Sequence, residues 1–181
     1  MLINTHNSWL LIVDVQEKLI PAIHNKDAVI DHCAWLMKVS GVMGVPILVS
    51  EQYPKGLGPT VPELRKLTPK HAFMEKVHFS CAAAPRCDAR ISALGRSQVV
   101  IAGIEAHVCV LQTALDLAAD GKQVFVVADA ISSRDPRDVE LAMERMRSTG
   151  VVIVSREMVL FEWAHKSDTT QFKHLSSTFL R

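Results

Sequence analysis

The chain has 181 residues, of which 49% are hydrophobic and 22% are charged, and its formal net charge is +1 at pH 7. This length fits a single domain spanning residues 1–181, and such a domain buries roughly 70% of the surface that its unfolded chain exposes. The near-neutral charge gives no reason to expect nucleic acid or an anionic membrane as a partner, and no apolar run approaches the ~20 residues that cross a bilayer.

The spacing of the cysteines bears on whether the protein works in a reducing or an oxidising compartment. Cys33, Cys81, Cys87 and Cys109 show no C-x-x-C spacing. The first residues also lack the basic segment, apolar segment and cleavage site of a secretion signal. We therefore expect a reducing, cytoplasmic setting.

The first part of the chain alternates between strand and helix patterns. Trp9 to Val15 is a short apolar run, typical of a strand that is buried on both faces of a parallel sheet. Apolar residues then recur at helical spacing from about Asp27 to Val42, Gly44 ends that helix, and Val45 to Val49 predict the next strand. The prolines and glycines of Glu51 to Pro62 predict a loop at the carboxyl end of that strand.

The same alternation continues along the rest of the chain. The predicted elements, in chain order, are strand 72–76, helix 84–94, strand 97–104, helix 108–120, strand 123–128, helix 136–148 and strand 151–154. Such alternation predicts an α/β fold, with a parallel sheet covered by helices on both faces. In open sheets of this kind, ligands bind outside the carboxyl ends of the strands.

The carboxyl-terminal tail is too apolar to remain in water. Its large apolar residues are Phe161, Trp163, Phe172, Leu175 and Phe179. We therefore expect the tail to cover either the core of its own chain or a partner subunit.

The segment from Val99 to Ala114 places a cysteine between a strand and a helix. A β-branched run reaches Gly103, turns through five residues and delivers Cys109 where an apolar-periodic helix begins. Unpaired N–H groups and the macrodipole at a helix N-terminus favour a thiolate, so we expect a lowered pKa for this thiol. The same N–H groups can hold a developing oxyanion. A cysteine that serves only packing is the alternative.

Two further polar residues are predicted at the same edge of the sheet. Asp14 and Lys76 each end a strand pattern, and Cys109 follows another. A carboxylate within hydrogen-bond reach can take the proton of a thiol as general base, and a nearby lysine favours both ionised groups. Other roles stay open, because an aspartate here can simply cap a turn and a lysine can be solvated.

Three segments resemble motifs of the isochorismatase-like cysteine hydrolases. Gly-Ile-Glu-Ala-His-Val-Cys-Val-Leu-Gln-Thr-Ala at 103–114 resembles the nucleophile motif of that family. Asp14-Val15-Gln16 and Lys76-Val77-His78-Phe79-Ser80 resemble its other two motifs, in the same order. The resemblance covers about residues 8 to 165 and implies a three-layer α/β/α sandwich with a six-stranded parallel sheet.

The resemblance also implies roles for individual residues. Asp14, Lys76 and Cys109 would form a catalytic triad, the Ile104–Glu105 peptide bond would be cis, and the amides of Glu105 and Cys109 would bind the oxyanion. The candidates for the wall of the substrate pocket are Gln16, Tyr53, Phe79 and Ile131.

The loop segment narrows the resemblance to one branch of the family. Glu51 to Leu64 looks like the corresponding loop of the isochorismatase domain-containing proteins. Nicotinamidases carry an Asp-x-His metal motif in this loop, and that motif is absent from this sequence. Because His71, His78 and His107 also lack a spacing that would assemble a zinc site, we expect no metal and no cofactor.

These observations predict a cysteine hydrolase that acts on a small amide or related carbonyl compound. The apolar tail and the resemblance together predict a homo-oligomer. Two alternatives stay open. One is vinyl-ether hydrolysis of isochorismate, in which by family analogy Asp14 rather than a cysteine nucleophile carries the chemistry. The other is a non-catalytic binding or scaffolding protein that retains the pocket.

Overall fold

The computed structural model describes residues 1–180 and contains one six-stranded sheet in which every strand is parallel to its neighbours. The strands are β1 (Ser8–Val13), β2 (Ile47–Gln52), β3 (Phe73–Lys76), β4 (Gln98–Ile104), β5 (Gln123–Ser132) and β6 (Val152–Val154). Their spatial order is β3-β2-β1-β4-β5-β6, so the chain reverses direction across the sheet between β3 and β4.

Helices cover both faces of the sheet. They are α1 (Lys26–Met43), α2 (Pro54–Leu57), α3 (Pro62–Arg65), α4 (Pro85–Ala93), α5 (Leu111–Ala119), α6 (Pro136–Ser148), α7 (Arg156–Ala164) and α8 (Thr170–Phe179). Helices α1, α3, α7 and α8 pack together on one face, and α4, α5 and α6 lie on the other. The predicted three-layer α/β/α sandwich is thereby confirmed.

The central strands are apolar throughout because both of their faces are buried. In β1, Leu10 and Ile12 join the core beneath α1, whereas Trp9, Leu11 and Val13 join the core beneath α5. Burial on both faces explains why this strand reads as a continuous apolar run rather than an alternating one.

Several boundaries differ from the predicted ones. Strand β1 ends at Val13 instead of Val15, and β2 covers Ile47–Gln52 instead of Val45 to Val49. Strand β5 runs on to Ser132 instead of ending at Ala128, because an irregularity in its pairing with β4 keeps its polar end in the ladder. The predicted helix 108–120 begins earlier, as a π-helical turn over Ala106–Val110, and becomes α-helical only at Leu111. The predicted loop after β2 contains the short helices α2 and α3, each of which has a proline in its first turn.

The carboxyl-terminal tail covers the core of its own chain. Trp163 and Leu175 are buried in the core beneath α1, and the indole N–H of Trp163 donates to Ser8 Oγ at 2.9 Å. Phe161 is the exception, because 48% of its surface remains exposed.

Glycine at position 103 sets the distance between the two central strands. Gly103 pairs with Val13, and a methyl group at Gly103 would lie 2.2 Å from the Val13 carbonyl oxygen. Its φ of +115° also disfavours any residue with a side chain. This close approach fixes the end of β1 against β4, immediately before Asp14.

None of the helices within residues 1–180 is long and apolar enough to cross a bilayer.

Candidate active site

Asp14 is held at the carboxyl end of β1 by main-chain and side-chain hydrogen bonds. Its backbone adopts the left-handed conformation with φ of +50°, which aspartate tolerates better than most residues. Its amide donates to the Ser50 carbonyl oxygen at 3.1 Å, and the Ser50 hydroxyl donates to Asp14 Oδ1 at 2.7 Å. Both side chains are fully buried, so the carboxylate has one fixed orientation.

Lys76 completes a buried ion pair with this carboxylate. Its Nζ donates to Asp14 Oδ2 at 2.6 Å and to Gln52 Oε1 at 2.7 Å, and both charged side chains are wholly inaccessible to solvent. Burial alone would lower the pKa of Lys76, but the charge of Asp14, the neighbouring thiols of Cys81 and Cys109 and the hydrogen bond to Asp14 together outweigh it, so the pKa is raised and the ammonium stays charged.

Cys109 lies in the π-helical turn that follows β4, and only 7% of its surface is exposed. Burial raises the pKa of the Cys109 thiol, the charge of Asp14 and hydrogen bonding to it raise this pKa further, and Lys76 opposes them only in part. The expected lowering of the pKa at a helix N-terminus is therefore wrong for the resting site. Desolvation and the adjacent carboxylate outweigh the helix dipole, so the thiol keeps its proton.

The turn that carries Cys109 is fastened to the segment after β5. The Glu105 carboxylate accepts from Arg134 Nε at 2.9 Å. His107 lies 2.9 Å from the Ser133 hydroxyl through Nδ1 and 3.6 Å from an Asp138 carboxylate oxygen through Nε2. The Ile104–Glu105 peptide bond that leads into the turn is cis. These contacts fix the main chain around the two amides that were expected to bind an oxyanion.

The pocket-wall candidates lie in different places. Gln16 is buried, and its side chain bonds only to main chain: it donates to the Gln52 and Gly58 carbonyls and accepts from the Gln52 amide. Tyr53 is half exposed and lines a cavity of about 530 Å³ together with Lys76. Phe79 is half exposed. Ile131 is buried in the same core as Cys109.

The sequence interpretation missed two residues that the structure joins to the site. Ser50 and Gln52 end β2, and through side-chain oxygens they contact Asp14 and the Lys76 ammonium. A signal was present in the sequence, because Ser50, Glu51 and Gln52 are polar residues directly after the apolar run of β2. Their direction toward the β1 terminus depends on the register between β1 and β2, which the sequence does not display.

Metal-ligating side chains do not gather anywhere in the described part of the chain. Among residues 1–180, no three His, Cys, Asp or Glu side chains form a group that could hold a metal ion.

Comparisons with known proteins agree with this architecture. Residues 8–158 match the model of the isochorismatase domain. Isochorismatase domain-containing protein 1 of Salmo salar is 39% identical over 165 residues, which cover 91% of this chain. The chain spans 58% of the length of that relative.

Solved structures show the same fold. A structure described as a MAR1 ribonuclease from Caenorhabditis elegans superposes with a TM-score of 0.93 at 35% identity, covering 100% of this chain and 93% of that one. The YcaC protein of Escherichia coli, described as an octameric hydrolase of unknown specificity, superposes with a TM-score of 0.91 at 23% identity, covering 98% and 90%. At that identity the likeness to YcaC concerns the fold alone.

Proposed function

Since this chain belongs to the isochorismatase family, we propose that it is a cysteine hydrolase in which Cys109 attacks the carbonyl carbon of a small amide or related compound. The observation that carries the proposal is the buried Asp14–Lys76 pair, whose 2.6 Å contact holds a fully buried carboxylate within hydrogen-bonding reach of the Cys109 thiol. Removing two charges from water costs free energy, so a buried ion pair needs an explanation. A catalytic role supplies one, because the pair positions the carboxylate that accepts the thiol proton.

The proposed reaction begins with proton transfer. Asp14 takes the thiol proton as Cys109 sulfur forms a bond to the substrate carbonyl carbon, and the carbonyl electron pair moves onto oxygen. The amides of Glu105 and Cys109 donate hydrogen bonds to that oxyanion. The carbon–nitrogen bond then breaks, and the proton on Asp14 passes to the departing amine, which leaves a thioester on Cys109.

Hydrolysis of the thioester restores the site. Asp14 accepts a proton from water as the water oxygen attacks the thioester carbonyl carbon. The carbon–sulfur bond then breaks, and the proton returns to the Cys109 sulfur as the acid product leaves. Lys76 and Ser50 hold the two carboxylate oxygens throughout, so Asp14 can exchange protons without turning away.

The test is selective labelling of the thiols. Mild alkylation with iodoacetamide, followed by intact-mass and peptide measurements, should modify Cys109 faster than Cys33 or Cys81, which are fully buried. Asp14→Asn should slow any amide or ester turnover that depends on Cys109 by about a hundredfold, because a general base contributes on the order of 10²-fold or more. Asp120→Asn, a substitution at the end of α5, is the matched control and should leave the rate unchanged.

Equal labelling of Cys109, Cys33 and Cys81 would contradict the activation of Cys109. A screen of small amides and esters then seeks the acyl adduct on Cys109, whose mass reports the acyl fragment. Turnover of isochorismate that survives Cys109→Ala would instead replace the thiol mechanism with vinyl-ether hydrolysis.

The ribonuclease name of the Caenorhabditis elegans protein is not carried over, because a formal charge of +1 gives this chain little attraction for RNA.

We also propose that the protein self-associates in the cytoplasm. Exposed apolar residues of this chain offer contact surface at Val77, Phe79 and Phe161. All four cysteines are free thiols, which fits a reducing compartment. Sedimentation velocity at micromolar concentration should show a species heavier than the 20.0 kDa chain, and a monomer under those conditions would refute self-association.

A further inference from the structure

We propose that Gln16 is a positioning residue: acting through Gln52, it holds the Lys76 ammonium against the Asp14 carboxylate. This role rests on the proposed function, because that carboxylate is the proton acceptor of the proposed reaction. The Gln16 side chain is fully buried, and each of its three hydrogen bonds ends on a main-chain atom. Its effect on the site is therefore indirect.

Strand β1 turns away from β2 before the ladder between them reaches the end of β2. The Asp14 amide donates to the Ser50 carbonyl oxygen at 3.1 Å. The next rung of a parallel ladder would join the Gln52 amide to the Asp14 carbonyl oxygen. That oxygen instead accepts from the Gln16 amide at 2.8 Å, because the chain turns at Asp14, whose backbone is left-handed. The main chain of Gln52 therefore needs a replacement partner on this side.

The side chain of Gln16 supplies that partner. Its Oε1 accepts from the Gln52 amide at 2.7 Å, and its Nε2 donates to the Gln52 carbonyl oxygen at 2.9 Å and to the Gly58 carbonyl oxygen at 2.7 Å. A carboxamide carries both the donor and the acceptor that a peptide group carries, so it continues the ladder in place of β1. An apolar side chain of the same length would leave both main-chain groups of Gln52 without these partners.

Gln52 transmits this restraint to Lys76. On the β3 side, Gln52 pairs with Lys76, and the Tyr53 amide donates to the Lys76 carbonyl oxygen at 2.8 Å. The Gln52 Oε1 accepts from Lys76 Nζ at 2.7 Å. Its Nε2 donates to the Val77 carbonyl oxygen at 2.9 Å, which fixes the end of the carboxamide that faces the ammonium. Gln52 is thus bonded through its main chain and through both ends of its side chain.

The Lys76 ammonium is held between two oxygens. It donates to Gln52 Oε1 at 2.7 Å and to Asp14 Oδ2 at 2.6 Å, and the Lys76 and Asp14 side chains are both inaccessible to solvent. If Gln16 no longer holds the end of β2, Gln52 Oε1 moves and the ammonium loses one of its acceptors. The charge of Lys76 opposes the rise in the pKa of the Cys109 thiol, so a displaced ammonium lets that pKa rise further.

A second buried glutamine provides the matched control. Gln98 begins β4 at the opposite edge of the sheet and is 4% exposed. Its Oε1 accepts from the Asn4 amide at 2.7 Å, and its Nε2 donates to the Leu2 carbonyl oxygen at 3.0 Å and to Gln123 Oε1 at 2.9 Å. Gln16→Met and Gln98→Met each remove these three hydrogen bonds of a buried carboxamide. Both should lower the midpoint of urea denaturation, but only Gln16→Met should alter the ion pair.

The first measurement observes the Lys76 ammonium directly by nuclear magnetic resonance of protein with isotopically labelled lysine nitrogen. A buried, hydrogen-bonded ammonium exchanges its protons slowly with water, and its signal is assigned by its absence from Lys76→Arg. Gln16→Met should shift this signal and speed the exchange about tenfold, because a hydrogen bond to a charged group is lost. An unchanged signal in Gln16→Met, or an equal change in Gln98→Met, would overturn the positioning role.

The second measurement is the rate at which iodoacetamide alkylates Cys109 at one fixed pH. Gln16→Met should slow it about tenfold, since a thiol pKa that is higher by about one unit lowers the thiolate fraction tenfold. Gln52→Met should slow it at least as much. Gln16→Met/Gln52→Met should be no slower than Gln52→Met, because residues that act through one another are not additive. Additive losses in the double variant would contradict action through Gln52.

Turnover separates the role of Gln16 from the reaction proposed for Cys109. A shifted Lys76 signal in Gln16→Met, without Cys109-dependent turnover of any amide or ester, would retain the positioning role and reject the hydrolase mechanism. Cys109-dependent turnover that Gln16→Met and Gln98→Met lower equally would retain the hydrolase mechanism and reject the positioning role.

Discussion

Two ion pairs lie at the carboxyl edge of the sheet, and their surroundings differ sharply. Asp14 and Lys76 are both wholly inaccessible, whereas the Arg134 side chain that pairs with Glu105 is 63% exposed. The first pair is bonded further to Ser50 and Gln52. In the second pair the Arg134 guanidinium lies in water, and the Glu105 side chain, which is 14% exposed, also accepts from the Arg134 amide. Coulomb attraction grows as the local dielectric constant falls, but so does the cost of leaving a charge unpaired.

The difference shows which of the two pairs the fold depends on. When one partner of an exposed ion pair is removed, water solvates the charge that remains, so such pairs contribute little to the free energy of unfolding. A buried partner has no such compensation. The following experiments separate the two pairs, from the largest expected effect to the smallest.

Lys76→Met should destabilise the protein most, because it leaves the Asp14 carboxylate buried without a cation. We expect the free energy of unfolding to fall by about 3–5 kcal/mol. Urea denaturation followed by circular dichroism measures this change. The double variant Asp14→Asn/Lys76→Met carries no charge at these two buried positions and should be more stable than Lys76→Met alone. A double variant less stable than Lys76→Met would show that the unpaired Asp14 carboxylate does not cause the loss of stability.

Alkaline pH tests the buried thiols, of which Cys81 and Cys109 lie beside the first pair and Cys33 lies in the core on the other face of the sheet. Burial raises the pKa of Cys33 and of Cys81 to about 12 from the ordinary 9.0, and that of Cys109 shifts in the same direction. Below pH 9 the thiols are protonated in both the folded and the unfolded chain. Above it the unfolded chain loses these protons first, so the free energy of unfolding falls by about 1.4 kcal/mol per pH unit for each buried thiol.

Urea denaturation at pH 8, 9.5 and 10.5 under reducing conditions measures this loss. Cys81→Ala should show a shallower decline than wild type. The raised pKa of Lys76 means that its contribution is complete below its ordinary value of 10.5 and is lost only above that pH. A stability that does not change between pH 8 and 10.5 would show that the thiols ionise freely in the folded state.

Ser50→Ala should have an intermediate effect. It removes the hydroxyl that donates to the buried Asp14 carboxylate, and a hydrogen bond to a charged group contributes about 1.5–3 kcal/mol. Denaturation of this variant is compared with that of Ser92→Ala, which lies at an exposed position of α4. Equal stabilities of the two variants would show that Asp14 does not depend on Ser50.

Arg134→Ala should have the smallest effect. Its guanidinium is in water, so the midpoint of urea denaturation should stay close to that of wild type. The same measurement at high and low salt should show no more than a slight difference. A loss comparable to that of Lys76→Met would mean that the Glu105 turn, rather than the buried pair, limits stability.

Much of the fold was predictable from local patterns. The apolar runs of β1 and β4, the helical spacing of α1 and the proline and glycine boundaries of α6 can be read directly from the sequence. The early end predicted for β5 was wrong because polar residues can remain in a ladder when a pairing irregularity accommodates them. The role of the tail was left open between core and partner, because local apolarity does not name the surface that it covers.

The sequence by itself determined the order of strands and helices and the family, because hydrophobic periodicity and short motifs are local properties. It also placed Asp14, Lys76 and Cys109 after strands that run in one direction. Only the tertiary structure decided what surrounds them. Strand register brought Ser50 and Gln52 to the ion pair, and burial reversed the expected pKa of Cys109, because desolvation depends on every neighbouring element rather than on the segment that carries the thiol.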